Sequence, residues 1–301
     1  MSSLHHLLLG LLLLSVFSCK NDHNQSVSEP IEAPKSLVSY VDPFIGTDAH
    51  GHTYPGATLP FGMVQLSPDT RLDGWDGCSG YHYSDEIVYG FSHTALSGTG
   101  VSDYGDVLLM PTTGVLRLQN GANGQAGYRS SFQKEKEQAS PGYYGVFLDD
   151  YEIQVDLTTT LRTGLHRYRG QPGESLNVVL DLAHRDRVLE GGLRIVNSQE
   201  IEGYRISQAW AEEQHIYFVI RFSEPFTNAQ TEAGVLPTGE WLEGDSIVAG
   251  FLFGAMEEAL QAQVAISAVD IDGARHNLDD EFANWDFDFT RQKAERTWEK
   301  Q

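Results

Sequence analysis

Cysteine is almost absent from this sequence: two residues, Cys19 and Cys78, stand in a chain of 301. At most one intrachain disulfide can form, so a disulfide-stapled scaffold is excluded. Basic residues are also scarce, 20 Lys and Arg against 42 Asp and Glu, for a formal net charge of -22. Nucleic acid needs a basic face to meet its phosphates, so no nucleic-acid partner is expected. Electrostatic attachment to an anionic bilayer is disfavoured for the same reason. The acidity itself suits a soluble, self-repelling protein and does not by itself indicate a ligand. Helical periodicity is nearly missing until the last residues, and no internal repeat recurs at a fixed period.

The one long apolar run is residues 7–17, LLLGLLLLSVF. It is too short to span a bilayer as a helix but fits the apolar core of a signal peptide, expected over residues 1–18. Val16-Phe17-Ser18-Cys19 follows, in the pattern of a bacterial lipoprotein cleavage box with Cys19 as the lipidated residue. The start, MSSLHH, departs from that pattern because it carries no Lys or Arg. Residues 19–39 are polar and contain Pro30 and Pro34, which suits a disordered tether. The expectation is an exported protein of the periplasm or cell surface, held to a membrane by lipid. A lipidated Cys19 would leave Cys78 unpaired.

From Pro141 onward the pattern is regular. Residues 145–148 and 152–158 alternate apolar and polar about Asp149-Asp150, as a hairpin does. Further short strands are expected at 164–169, 176–183, 193–196, 204–208, 216–222, 247–253 and 263–269. Gly170, Pro172, Gly191, Gly203, Pro225 and Gly244 punctuate them. Many short strands between frequent turns indicate an all-β antiparallel sandwich over residues 40–285. Residues 284–301 differ. Asp286, Asp288 and Thr290 precede RQKAERTWEKQ, which is rich in helix formers and for which Thr290 is placed as the N-cap; residues 286–301 are assigned to this terminal helical segment.

Residues 40–114 are the most informative stretch. Gly, Pro, Asp, His, Tyr and Trp crowd together there with few apolar runs, which suits irregular backbone that displays polar and aromatic groups. The blocks VDPFIGT, HGHTYPGATLPFGMVQLSPDTR, GYHY, GFSHTALSGTG and DYGDVLLMP occur in that order. This segment closely resembles the opening of glycoside hydrolase family 92, the bacterial exo-α-mannosidases. Ala95 and Val101, in the stretch FSHTALSGTGVSDYGD, depart from the family pattern, in which a larger polar residue and a cysteine are expected.

The resemblance implies a β-sandwich of the supersandwich type whose final helix leads into an (α/α)6 barrel. It implies a calcium-dependent enzyme that hydrolyses terminal α-linked mannose, α-1,2 for example, with inversion. Both catalytic carboxyl groups and the main calcium contacts would belong to the helical domain, in cis or from an adjacent reading frame. No catalytic or metal-binding residue is therefore assigned here, and the chain is expected to be inactive alone. An alternative from another class is a stand-alone, non-catalytic carbohydrate-binding lipoprotein.

The sandwich would still supply one wall of the mannose pocket. Sugar recognition needs an aromatic face and forked donors and acceptors, and residues 69–83 hold both. Trp75, between glycines, is either a platform for the sugar or an anchor of its loop. Arg71 either grips vicinal hydroxyls or pairs with Asp69 or Asp73. Asp69 and Asp76 either accept from hydroxyls or cap turns. Cys78 and Ser79 are read as partly exposed sugar contacts, with Cys78 as a small buried filler the alternative. His93 is either a pocket residue or structural. His50-Gly51-His52 has the spacing of a metal pair on a strand, but no third and fourth ligand follow, so packing or hydrogen bonding at an interface is expected. Trp75, Tyr81, Tyr83 and His93 are expected on a face left open, with a final helix around Trp298 that is poorly anchored.

Overall fold

The computed structural model of the protein describes residues 36–301. The apolar run, Cys19 and nearly all of the expected tether lie outside the described residues. Two antiparallel sheets face each other. One runs in the order Ala57–Thr58, Gln65–Asp69, Gly90–Ser92, Leu108–Thr113, Glu174–Asp181, Val248–Met256, Asn228–Thr231, Gly234–Val235. The other runs Trp241–Gly244, Arg187–Asn197, Glu200–Gln208, Gln214–Phe222, Leu260–Ser267, Thr163–Arg169, Ile153–Thr159, Tyr143–Leu148, Glu137–Ser140. The chain passes repeatedly from one sheet to the other, so the two sheets fold as one sandwich.

A single apolar cluster fills the space between them. Leu66, Phe91, Leu109, Leu180 and Phe251 enter from the first sheet, and Leu157, Tyr168, Ile201, Phe218 and Val264 from the second. The two-residue period of a strand explains the choice. In Gln214–Phe222, Phe218, Ile220 and Phe222 point into this core, while Val219 points to the opposite face.

That opposite face is covered by two helices, α1 (Ile271–Glu281) and α2 (Phe287–Trp298). The sequence reading contains no α1. Its composition is poor for a helix, with Gly273, Asn277 and several aspartates. Packing outweighs propensity: Ala274 and Leu278 bury against Val219 and Ala265. Asp270 caps α1 by accepting from the Gly273 amide at 2.6 Å.

Helix α2 corrects the expectation twice. Its cap is Asp286, which accepts from the Phe289 amide at 2.9 Å, and Thr290 lies inside the helix. The helix is also well anchored. Phe287 joins Tyr143 and Leu165. The Arg291 guanidinium lies 3.5 Å from the Tyr143 ring centroid. The Trp298 indole donates to Thr58 O at 2.7 Å.

The strands expected after Pro141 are all present, including the hairpin of Tyr143–Leu148 with Ile153–Thr159. The segment 40–114 is less irregular than its composition suggests. It supplies four strands of the first sheet, among them the fully buried start of Leu108–Thr113.

Two charged side chains, both fully buried, join the sheets. Arg205 on Glu200–Gln208 pairs with Asp106, just ahead of Leu108–Thr113. Arg205 also donates to Leu182 O and His184 O, each at 2.9 Å. Asp106 accepts from Thr94 Oγ1 at 2.7 Å and from Gln214 Nε2 at 3.0 Å. Removing one member of such a pair strands the other charge. Arg205→Met is expected to destabilise the fold by about 3–5 kcal/mol. Arg205→Met/Asp106→Leu should lose less. Urea unfolding of the three proteins checks both statements, and equal losses would show that the charge pairing is not the cause.

Candidate functional site

The loops that leave the first sheet near Asp69 and Ser92 meet around Trp75. This indole is 64% exposed. Its inner side lies on Gly100, where an added Cβ would come within 2.5 Å of ring carbons Cη2 and Cζ2. Only glycine permits that approach. His52 meets the same indole edge-on, with ring centroids 5.3 Å apart and an interplanar angle of 81°. The indole is thus backed on one side, braced at an edge and open to solvent. A sugar ring can rest its C–H face on such a surface.

Polar groups surround it. Asp76, the next residue but one after Gly74, accepts from His50 Nδ1 at 2.9 Å. This hydrogen bond holds the His50 pKa above its ordinary value and the Asp76 carboxyl below its own. Arg71 does not pair with Asp69 or Asp73. It grips Asp85 through Nε at 3.0 Å and Nη2 at 3.2 Å, and donates from Nη1 to Asp76 O at 3.1 Å. Its fork is therefore spent inside the loop, as a brace.

Several expected contact residues lie beneath the surface. Cys78 is 1% exposed, with Sγ 3.9 Å from Thr99 O, so it is the buried filler and not a partly exposed thiol. Burial pushes its thiol pKa up, against any thiolate chemistry. Ser79 is also buried and donates to Thr53 O at 2.8 Å. Asp69 is buried beside His184, 3.5 Å away, and Arg185, 3.6 Å away. Burial raises its carboxyl, and these neighbours with Ser92 more than offset that, leaving it lowered.

His93 corrects the expectation most. It sits between the sheets with no exposure, its Nδ1 donating to Val107 O at 2.7 Å. Its Nε2 then accepts from His166 Nε2 at 2.9 Å, and His166 Nδ1 accepts from the Tyr168 hydroxyl at 2.8 Å. The three side chains satisfy one another with both imidazoles neutral. Burial lowers His93 to about 4 and His166 well below its ordinary value. Tyr81 is likewise buried, donating to Glu137 Oε2 at 2.9 Å, so of the four residues expected on an open face only Trp75 and Tyr83 are exposed.

The structure thus brings together Trp75, Asp76, His50 and His52 and withdraws Asp69, Cys78, Ser79 and His93. Sequence reasoning missed Gly100 and Arg185. The signal for Arg185 was present: the charged run His184-Arg185-Asp186-Arg187 comes two residues after a largely buried strand, Glu174–Asp181. Among the described residues, no group of three or more His, Cys, Asp or Glu could hold a metal ion. In the loop that carries Trp75, Asp76 is already engaged by His50 and Asp85 by Arg71. These residues do not fit a calcium ion.

The fold is thus an antiparallel sandwich that carries an open indole on glycine-flanked, polar loops. The chain belongs to glycosyl hydrolase family 92, whose N-terminal domain model matches residues 40–267. The family GH92 α-mannosidase BT3965 from Bacteroides thetaiotaomicron, solved in complex with mannoimidazole, is 36% identical over 88% of this chain, with a TM-score of 0.82. The family GH92 inverting mannosidase BT2199 from the same organism is 25% identical over 89% of it, with a TM-score of 0.76. An uncharacterized secreted glycosidase of Arthroderma benhamiae is 27% identical over 88% of it. The chain spans 37%, 36% and 38% of the lengths of BT3965, BT2199 and the Arthroderma protein respectively.

Two outcomes follow from the histidines. The His50 titration followed by NMR should have its midpoint above the ordinary value of about 6.5, and Asp76→Asn should return it there. An unshifted midpoint in the parent would show that the pair does not form in solution. His93 and His166 are held neutral in the fold, whereas unfolded histidine takes a proton below about 6.5. Their contribution to stability is complete above about 6.5 and is lost as pH falls toward about 4. His93→Leu/His166→Phe should flatten the fall in urea midpoint between pH 7 and 4.5. An unchanged slope would assign the whole fall to carboxylates.

Proposed function

We propose that this chain is the sugar-contacting N-terminal domain of an exported exo-α-mannosidase that releases terminal α-linked mannose from glycans, α-1,2-linked for example, with inversion. The observation that carries this reading is the open Trp75 platform, in a chain 36% identical to an α-mannosidase solved with mannoimidazole. Inversion draws support from the likeness to an inverting mannosidase.

An inverting glycosidase needs an acid and a base about 6.5–9.5 Å apart, with water between the base and the sugar. A helical domain would supply both in this reading and would hold the calcium ion that the resemblance implies. This chain would position the sugar: Trp75 under the ring, with Asp76 and His50 beside it for the hydroxyls. Export rests on the apolar run at 7–17 and on the likeness to a secreted glycosidase. Attachment to a membrane rests on the Val16-Phe17-Ser18-Cys19 sequence alone.

The stand-alone binding module draws on one observation, the firm anchoring of α2 through Phe287, Arg291 and Trp298. Activity separates the two readings. The pure chain should not turn over an aryl α-mannoside, and mixing it with a helical domain of the family should restore turnover. Trp75→Ala in the assembled enzyme should lower kcat/KM by about tenfold or more, equivalent to about 1.4 kcal/mol. Mannoside binding by the pure chain, with no gain on adding the helical domain, would favour the binding module. Full activity in Trp75→Ala would remove Trp75 from the site.

A further inference from the structure

We infer that Arg185 is a positioning residue that sets the Trp75 platform by clamping the two loops that form it. The inference rests on the reading of Trp75 as the sugar platform only for its functional consequence, since the clamp itself is a statement about the indole.

The platform has two parts from different loops, Trp75 above and Gly100 behind. The direct hydrogen-bond contact between the two loops is the weak one of Cys78 Sγ with Thr99 O, and the His52 segment spans them from outside, its O accepting from Gly98 N at 2.7 Å and its ring against Trp75. Arg185 reaches both. Its Nη2 donates to Cys78 O at 2.6 Å, three residues beyond Trp75, and to Ser102 Oγ at 3.0 Å, two residues beyond Gly100. A single guanidinium nitrogen therefore ties the loop that carries the indole to the loop that backs it.

The other side of the fork is held as well. Nη1 lies 3.6 Å from Asp69 Oδ1, on the strand from which the Trp75 loop departs. The Ser102 hydroxyl donates to Asp186 Oδ1 at 2.7 Å, so it is oriented by the residue next to Arg185. The guanidinium is 3% exposed and cannot itself reach a sugar. Its backbone adopts φ 62°, a left-handed conformation that a long side chain rarely takes. Gly80 leaves the space it needs: a Cβ there would stand 2.0 Å from Asp69 Oδ1 and 3.0 Å from Arg185 Nη1. A planar fork that serves two loops and a strand is a task lysine performs poorly.

The test uses the full chain labelled with 5-fluorotryptophan, which reports on its five tryptophans, with Trp75 assigned by Trp75→Phe. Arg185→Gln and Ser102→Ala are expected to shift or broaden the Trp75 fluorine resonance and to raise its quenching by acrylamide. The resonances of Trp241, Trp285 and Trp298 should stay in place. Arg185→Lys should recover part of the Trp75 signal. An unchanged Trp75 resonance in a folded Arg185→Gln protein overturns the inference. So does a common shift of all five resonances, which marks a general structural role. Should Arg185→Gln fail to fold, Ser102→Ala decides alone, because it removes one end of the clamp and no charge. Binding of methyl α-mannoside to Trp75→Ala is measured separately. If that affinity equals the parent's, the sugar reading fails while the clamp still stands or falls on the fluorine signal.

Discussion

The buried pair of Arg205 and Asp106 is the constraint on which the functional face depends. Two unit charges without exposure are tolerable only when each is matched and hydrogen-bonded. Arg205 meets this condition by binding Asp106 and the carbonyls of Leu182 and His184. Asp106 meets it through Thr94 and Gln214. These partners come from both sheets and from the loops leaving them. The pair therefore fixes the sandwich at one end and also fixes where the chain segments around 94–106 and 182–186 must run. Apolar packing alone is non-directional and would not specify those paths.

Above that pair the structure grades from closed to open. His93, Tyr81, Asp69 and Cys78 are buried polar or polarisable groups with specified partners. Trp75, His50 and Asp76 stand at the surface. The buried set makes the loops rigid, and rigidity is what a sugar site needs. Sugars offer many weak contacts, so binding gains most when the protein groups are ordered beforehand. Arg71 illustrates the division. It has the fork to bind vicinal hydroxyls, yet that fork is occupied by Asp85 and Asp76 O. The residue contributes to recognition by holding the Trp75 loop in shape.

The helices show a related trade. Without α1 and α2 the outer face of the second sheet would expose Val219, Ala265 and Leu165. The helices cover that face with modest apolar stripes and a set of arginine contacts. Arg275 bridges Glu200 and Glu202, and Arg221 joins Glu200 to Asp279. The helices thereby cover the outer face around Val219, Ala265 and Leu165, while Trp241 at the edge of that sheet stays partly exposed.

The strand pattern after Pro141 was legible in the sequence because a strand buried on one side must alternate, and turns must carry Gly or Pro. The family was legible because its blocks are local: each is a short run whose order survives without knowledge of contacts. Helix α1 was hidden by its Gly and Asp content, although Ile271, Ala274 and Leu278 already stood at helical spacing. The exposure of site residues was legible only in part: Trp75 and Tyr83 are exposed as expected, and Tyr81 and His93 are not. Trp75 and Cys78 share one glycine-rich loop, and His93 lies in a motif just as polar. What separates the open indole from the buried thiol and the core histidine is the arrival of distant partners: Gly100, Arg185 and His166. Sequence determined which chemical groups the loops hold and which strands carry them. The tertiary structure alone decided which groups face solvent, because burial is set by contacts between residues far apart in the chain.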